Sequence, residues 1–237
     1  ALAGYYYQYF RRNLSYFSRI NYDYQDKYLA SFSARRDGSY AFGVDNKFGN
    51  FYSGSLGWVV SKEKFFKANW VDQLKIRGSY GSIGNENVNP QFVSIVTGGP
   101  SYGSTANSNG YTFNDVFYPG STVGSSANTT LRWEKQIQSN IGFDLVVLNN
   151  KVSLNADYFQ KTVDGLLFTP AASLYLGTVP SPIANIGATK TSGFDFTLNY
   201  NESIGKNLKF NTALTFTTAT NLVTATNDNG TAKILGG

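Results

Sequence analysis

Two groups of residues have the types that chemistry needs: scattered carboxylates, and aromatic rings set among amides. Asp23 with Asp26, and Asp144 with Asp157, are pairs of the kind a glycosidase uses, one carboxyl donating a proton while the other attacks or activates water. Their setting argues against that role. They fall at a turn or on the polar side of neighbouring strand segments, where carboxylates ordinarily pair with cations and amides. The chain has no Cys and no His, so thiol nucleophiles, disulfides, imidazole bases and His metal sites are absent from it. Asp45, Asn46, Asn85, Glu86 and Asn87 offer oxygen donors without the spacing of a calcium loop. The glycine runs at 98–100 and 103–110 lack the strand-to-helix setting of a phosphate cradle. No catalytic residue, metal or cofactor is expected.

Binding suits these residues better. Tyr40, Phe42, Tyr102, Tyr111, Phe113 and Tyr118 lie in long connections together with Asn114 and Asp115. Flat rings beside amides and carboxylates hold sugars or peptides, and equally pack loops against one another or against a partner protein. Substrate or partner contact is the expectation for this set.

The elements that position these groups are strands. Across 132–147, Trp133, Ile137, Ile141, Phe143, Leu145 and Val147 share one parity, while Arg132, Glu134, Gln136, Gln138, Asn140 and Asp144 share the other. Side chains of a strand alternate between faces, so this segment has an apolar side and a strongly polar one. The same alternation predicts strands over 14–24, 28–37, 51–60, 74–83, 151–160, 191–200 and 208–218. Polar faces would carry Arg19, Arg35, Arg77, Asp157 and Asp195, alongside Glu134, Gln138, Asn140 and Asp144. Apolar faces carry no charge except Arg36 and Lys135, both near strand ends.

Connection lengths decide what such strands build. Short links at 25–27, 61–73, 148–150 and 201–207 alternate with long ones at 38–50, 84–131 and 161–190, and a polar tail follows at 219–237. Loops beyond about 12–15 residues are unusual in compact soluble domains. Short periplasmic turns and long extracellular loops are what an outer-membrane β-barrel has, with its apolar face on lipid and its polar face on a watery lumen. The expected fold is therefore an all-β, antiparallel transmembrane barrel over 1–237. Arg36 and Lys135 would reach the phosphates of outer-membrane lipid and lipopolysaccharide. Tyr22, Tyr24, Tyr28, Trp58, Tyr158, Tyr200 and Phe210 would form an aromatic girdle. A short amphipathic turn over 61–70, with Phe65, Phe66 and Trp70 buried, is expected on the periplasmic rim. The segment 84–131 shows no strand-like alternation and reads as loop. Net charge is only +5 and is scattered, which argues against nucleic acid as a partner. About eight strands with loops this large suggest a piece of a wider barrel, with further strands upstream and downstream.

The blocks Ser15–Tyr22, Arg35-Arg36-Asp37-Gly38-Ser39, Phe51–Trp58, Leu74–Gly81, Leu131–Lys135 and Asn185-Ile186-Gly187 resemble the barrel of SusC/RagA-type TonB-linked outer-membrane proteins of Bacteroidetes. Thr191–Asp195 continues the likeness, while Tyr52 and Tyr40 depart from the family pattern. The resemblance implies a plugged barrel of about 22 strands, placed in the outer membrane. It implies active import powered by the TonB complex, a SusD-like surface lipoprotein as lid, and an oligosaccharide or peptide as substrate. An alternative within the same scaffold is a barrel that serves protein assembly or export without importing nutrients.

Overall fold

A computed structural model describes residues 11–89, 95–98, 110–170, 181–204 and 208–225. Eight long strands form one antiparallel sheet: β1 (Leu14–Tyr24), β2 (Tyr28–Gly38), β3 (Phe48–Val59), β4 (Val71–Asn85), β9 (Glu134–Val147), β10 (Val152–Asp164), β13 (Ala188–Ile204) and β14 (Leu208–Ala225). They hydrogen-bond in chain order, and β1 and β14 are the two edges. All eight predicted strands are present, most of them longer than the alternation suggested. Residues 201–204, expected in a turn, continue β13 as pairs of Leu208–Asn211. The ladder extends there because Glu202 anchors the strand end, accepting from Lys151 Nζ (2.8 Å) and Tyr200 Oη (3.1 Å).

One register runs across the sheet. Tyr22, Ala30, Leu56, Gly78, Ile141, Tyr158, Phe194 and Thr218 stand opposite one another in sequence from β1 to β14. The next row on the same face is Tyr24, Tyr28, Trp58, Ile76, Phe143, Ala156, Phe196 and Phe216. Because the side-chain period is two, these rows make a continuous apolar face, and its large side chains stay exposed: Ile141 at 61% and Leu214 at 59%. The apolar band shifts along the strands as it crosses the sheet, lying over Tyr28–Ala34 in β2 and over Val152–Tyr158 in β10. The shift is about two rows, or roughly 13 Å at ~3.3 Å per residue. A level band crossing tilted strands has this offset, as barrel closure requires.

Tight turns at one end have left-handed backbone. Gln25 and Asp26 take φ of 55° and 49°, and Leu148, Asn149 and Asn150 take 59°, 55° and 63°. Asx geometry supports the first, with Asp23 Oδ1 accepting from the Asp26 amide at 2.8 Å. Asp72 supports the second by accepting from the Asn150 amide at 2.9 Å. Another link at this end, from β3 to β4, starts with one 3-10 turn at Val60–Lys62. Its rings correct the expectation: Phe65 and Trp70 are each 64% exposed. Glu63 straps the link to the apolar face of β2–β3, which leaves Phe65 and Trp70 on the surface and Phe66 half-buried.

At the other end the long connections have structure of their own. Segment 84–131 is not featureless: β5 (Ile95–Gly98) pairs with β8 (Ser121–Ser125), and β6 (Gly110–Phe113) with β7 (Val116–Pro119). Non-glycine left-handed residues at Asn114 (48°) and Asp115 (57°) make the two-residue turn of the inner hairpin, a signal that the lack of Gly concealed. Residues 39–47 fold back on the sheet, and Ser39, Ala41, Phe42, Phe51 and Leu131 are buried there. Trp133 packs against Phe42 (5.2 Å) and Phe51 (5.6 Å), with its indole N–H directed at Lys47 O. A short ladder, β11 (Leu167–Phe168) with β12 (Ala184–Asn185), closes the connection between β10 and β13.

Asn185 ties this last connection down. Its Oδ1 accepts from the Arg132 amide (2.8 Å), and its Nδ2 donates to Arg132 O (2.8 Å) and Gly165 O (2.9 Å). One amide therefore ties residues 132, 165 and 185 together beside the short β11–β12 ladder. Gly187, at φ 87°, supplies the left-handed bend that lets β13 leave this clamp. Asn185→Ala strands three backbone groups and is expected to cost about 1–3 kcal/mol locally. The full-length protein carrying it should fold to the same heat-resistant species on gels, yet be cut faster by protease within 161–190.

Candidate functional site

The polar face opposite the apolar rows carries the chemistry. Arg77 on β4, Gly142 on β9, Asp157 on β10 and Asp195 on β13 stand in one row. Arg77 reaches over Gly142: its Nη2 donates to Asp157 Oδ2 at 2.6 Å, and its Nε to Asp144 Oδ1 at 3.0 Å. Asn155 Nδ2 adds a donor to Asp144 at 2.9 Å. Asp157 Oδ1 is buried without a hydrogen-bond partner, facing the space over Gly142. A side chain at 142 would overlap this carboxylate and the Ala156 carbonyl, so glycine is what permits the cross-strand reach. Asp144 and Asp157, the pair that suggested a glycosidase, are thus bridged by one guanidinium.

Further along the same face, Asn140 Nδ2 donates to Ser79 Oγ (3.1 Å), Gln138 Nε2 to Asn140 Oδ1 (3.2 Å), and Asn199 Nδ2 to Ser153 Oγ (3.2 Å). Arg35 Nε lies 2.7 Å from the Asp37 carboxylate. Glu134 accepts from Asn85 Nδ2 (3.2 Å) and from the Leu167 amide (3.0 Å), so it holds a loop rather than a ligand. Arg19 shares an open cleft of about 770 Å³ with Ser33, Arg35, Gln138 and Asn140. Among the described residues, no group of His, Cys, Asp or Glu is arranged to hold a metal ion.

The loop set divides. Phe42 is 2% exposed and packs at a tilt against Trp133, which corrects its expected role as a contact residue: it belongs to the packing that holds 39–47 to the sheet. Tyr40 is half-buried, with the Arg11 guanidinium 5.9 Å from its ring centre. Asn114 and Asp115 form the exposed hairpin tip, and Phe113 (61%) and Tyr118 (44%) are exposed beside it. The register places Tyr111 opposite Tyr118, two residues from Phe113 on the same strand. Tyr102 lies outside the described residues. Alternation missed the clamp at Asn185 and the strap at Glu63, because both act through single side chains on backbone or ring partners far away in sequence.

On the apolar face, among the described residues, charge appears only towards strand ends, with Glu202 of β13 at the short-turn end. At the other end Arg36 and Lys135 are joined by Asp164 and Lys190, which the greater lengths of β10 and β13 bring into that parity. Arg36 lies 4.8 Å from the Phe48 ring centre. At the short-turn end, Glu63 accepts from Tyr28 Oη (2.6 Å), Trp58 Nε1 (3.2 Å) and Lys27 Nζ (3.4 Å). Chiefly through the Tyr28 hydroxyl, these donors hold its carboxyl below the ordinary carboxylate range. Lys151 is raised above the ordinary lysine value by its hydrogen bond to Glu202.

Two substitutions test the charged row. Gly142→Ala should displace Asp157 and the β9–β10 ladder together, a severe change of at least about 2 kcal/mol. Arg77→Ala leaves two part-buried carboxylates facing each other and should cost about 1–2 kcal/mol after allowance for its solvent access. Both effects are read as earlier loss of the compact, heat-modifiable species during thermal titration of the full-length protein. Arg77→Ala combined with Asp157→Asn should recover part of the loss.

Comparison with known proteins matches this geometry to one family. The family described as TonB dependent receptor-like, beta-barrel matches residues 2–236. TonB-dependent receptor P3 of Formosa agariphila is 33% identical over 201 residues, covering 84% of this chain and 19% of that protein. TonB-dependent receptor SusC of Bacteroides thetaiotaomicron is 34% identical over 188 residues, covering 78% of this chain and 18% of that protein. The chain thus spans about a fifth of the length of these relatives. The structure of the RagAB peptide transporter superposes with a TM-score of 0.77 at 27% identity, over 90% of this chain and 22% of that one. The siderophore receptor PirA of Pseudomonas aeruginosa shares the fold at 12% identity and a TM-score of 0.52. An open eight-stranded sheet with one charged and one apolar face is accordingly part of an outer-membrane barrel, and the chain belongs to the TonB-dependent receptor family, with relatives of the SusC and RagA type.

Proposed function

We propose that the full-length protein imports an oligosaccharide or peptide across the outer membrane, driven by the TonB complex and lidded by a SusD-like surface lipoprotein. The apolar rows face lipid, and the Arg77–Asp144–Asp157 layer faces the lumen. Long connections lie outside the cell, and the turns at 25–27 and 148–150 lie in the periplasm. The observation that carries this reading is the division of the sheet into faces. Across the rows from Leu154 to Tyr158 no charge interrupts the apolar side, while the other side ties Arg, Asp and Asn side chains into a hydrogen-bonded layer. A bilayer demands the first and a wet passage the second. The named relatives support the transport reading: one is the RagAB peptide transporter and another is SusC.

Capture belongs to the long connections rather than to a catalytic group. The exposed tip of β6–β7, with Phe113 and Tyr118 beside Asn114 and Asp115, offers rings and polar groups to a substrate or to the lid. Phe113→Ala with Tyr118→Ala should weaken nutrient capture or lid association at least tenfold while the barrel stays folded. Unchanged uptake would remove this hairpin from the site. Uptake by the unaltered protein should cease when the proton-motive force is collapsed, and its persistence would overturn active import.

Sidedness has its own test. Leu154→Arg puts a charge among the apolar rows and should cost about 2–4 kcal/mol, seen as reduced yield of folded barrel in the membrane. Labels placed at 114–115 should react on intact cells, and labels at 148–150 only after the outer membrane is breached. The reverse pattern would invert the orientation.

A further inference from the structure

We propose that the β3–β4 link, residues 60–70, is an anchor for anionic phospholipid on the periplasmic leaflet of the outer membrane. The proposal rests on the orientation given above. The link does not drop away from the sheet into solvent. Glu63 folds it back over the apolar face by accepting from the polar tips of Tyr28 and Trp58, two rings of the apolar row, and from Lys27. The Phe65 ring then sits 6.3 Å from Trp58. Trp70, at the far end, is held against the next turn by its carbonyl, which accepts from the Leu148 amide at 3.4 Å.

This arrangement fixes the depth of the link. A tyrosine hydroxyl and an indole N–H that share one carboxylate mark the level at which the apolar face gives way to polar surroundings, the level amphipathic rings prefer in a bilayer. Phe65 is exposed beside Trp58, and Trp70 and Leu148 (55%) are exposed together at the far end of the link. Three exposed apolar groups in contact with water would be a liability, whereas at the headgroup boundary they are buried by lipid.

Charge selects the lipid. The link carries Lys62, Lys64 and Lys67 against the single acid Glu63. Glu63 is occupied by its three donors, and Lys62 lies 3.4 Å from Asp26. Lys64 and Lys67 are exposed, and among the described residues neither is paired with a carboxylate. Two ammonium groups three residues apart, next to rings at headgroup depth, suit the phosphate of an anionic phospholipid such as phosphatidylglycerol. The site is therefore a strap whose acid holds the rings in place and leaves two lysines for lipid.

The test uses the full-length protein in nanodiscs of phosphatidylcholine, with or without phosphatidylglycerol, and counts phospholipid retained after detergent extraction by native mass spectrometry. The unaltered protein should retain phosphatidylglycerol. Lys64→Gln with Lys67→Gln should lower that retention roughly tenfold, whereas Lys64→Arg with Lys67→Arg should preserve it. Heat-modifiable migration confirms that each variant is folded. Equal phosphatidylglycerol retention by the glutamine variant and the unaltered protein would overturn the proposal. Offering lipid A as competitor separates the two readings: if the glutamine variant loses lipid A and keeps phosphatidylglycerol, the link faces the outer leaflet, and the orientation fails together with the leaflet assignment. Uptake that fails for other reasons leaves this measurement untouched.

Discussion

The arrangement of side chains on both faces of this sheet depends on one register shared by its eight strands from β1 to β14, shifted only near strand ends at Val71–Gln73 and Ala188–Thr189. A backbone that crosses hydrocarbon has no water to satisfy its amides and carbonyls, so each must find a partner on the neighbouring strand. Once the ladder is continuous, residues fall into rows, and a row commits its members to one face. A slip of one residue between β4 and β9 would turn Arg77 towards the apolar side and Ile76 towards the charged one. The charged layer is therefore a consequence of pairing, and it also defends the pairing. Arg77, bridging Asp144 and Asp157 over Gly142, is satisfied only in the observed register.

The two ends of the sheet solve different problems with similar means. Short turns can be completed locally, by residues that tolerate left-handed backbone and by Asp23 and Asp72 accepting from nearby amides. Long connections have no such local solution. Ordering tens of residues costs conformational entropy that packing must offset. The chain meets that need with an aromatic cluster of Phe42, Phe51 and Trp133, with the Asn185 clamp, and with hairpins formed inside the connection itself. Attachment near the sheet leaves the exposed turn at 114–115 as the part proposed to meet substrate or lid, the usual division between scaffold and binding loop.

The strap at Glu63 shows how one carboxylate changes the meaning of neighbouring residues. Phe65 and Trp70 have the composition of a core, and in a soluble domain they would be expected to occupy one. Here three donors draw Glu63 onto the outer surface of the sheet, and the rings follow it outward. In a membrane protein such exposure is compatible with stability, because lipid replaces the missing protein core.

Much of this was legible in the sequence because β-structure is written with a period of two. Parity over 132–147 and its counterparts separated the faces, and the alternation of short and long links located the turns, including 25–27 and 148–150. Family blocks from Ser15 to Asp195 pointed to the barrel that the comparisons then matched. Tertiary structure decided the rest, since those features depend on residues distant in sequence coming together. Phe42 became packing only when residues 39–47 met Trp133; Asp144 and Asp157 became an ion network only when Arg77 arrived from β4. Asn114-Asp115 became a hairpin turn although no glycine announced it. Alternation records which face a residue takes, a local property of the backbone. What a side chain touches is settled by register across strands, where partners lie 67 or 80 positions away.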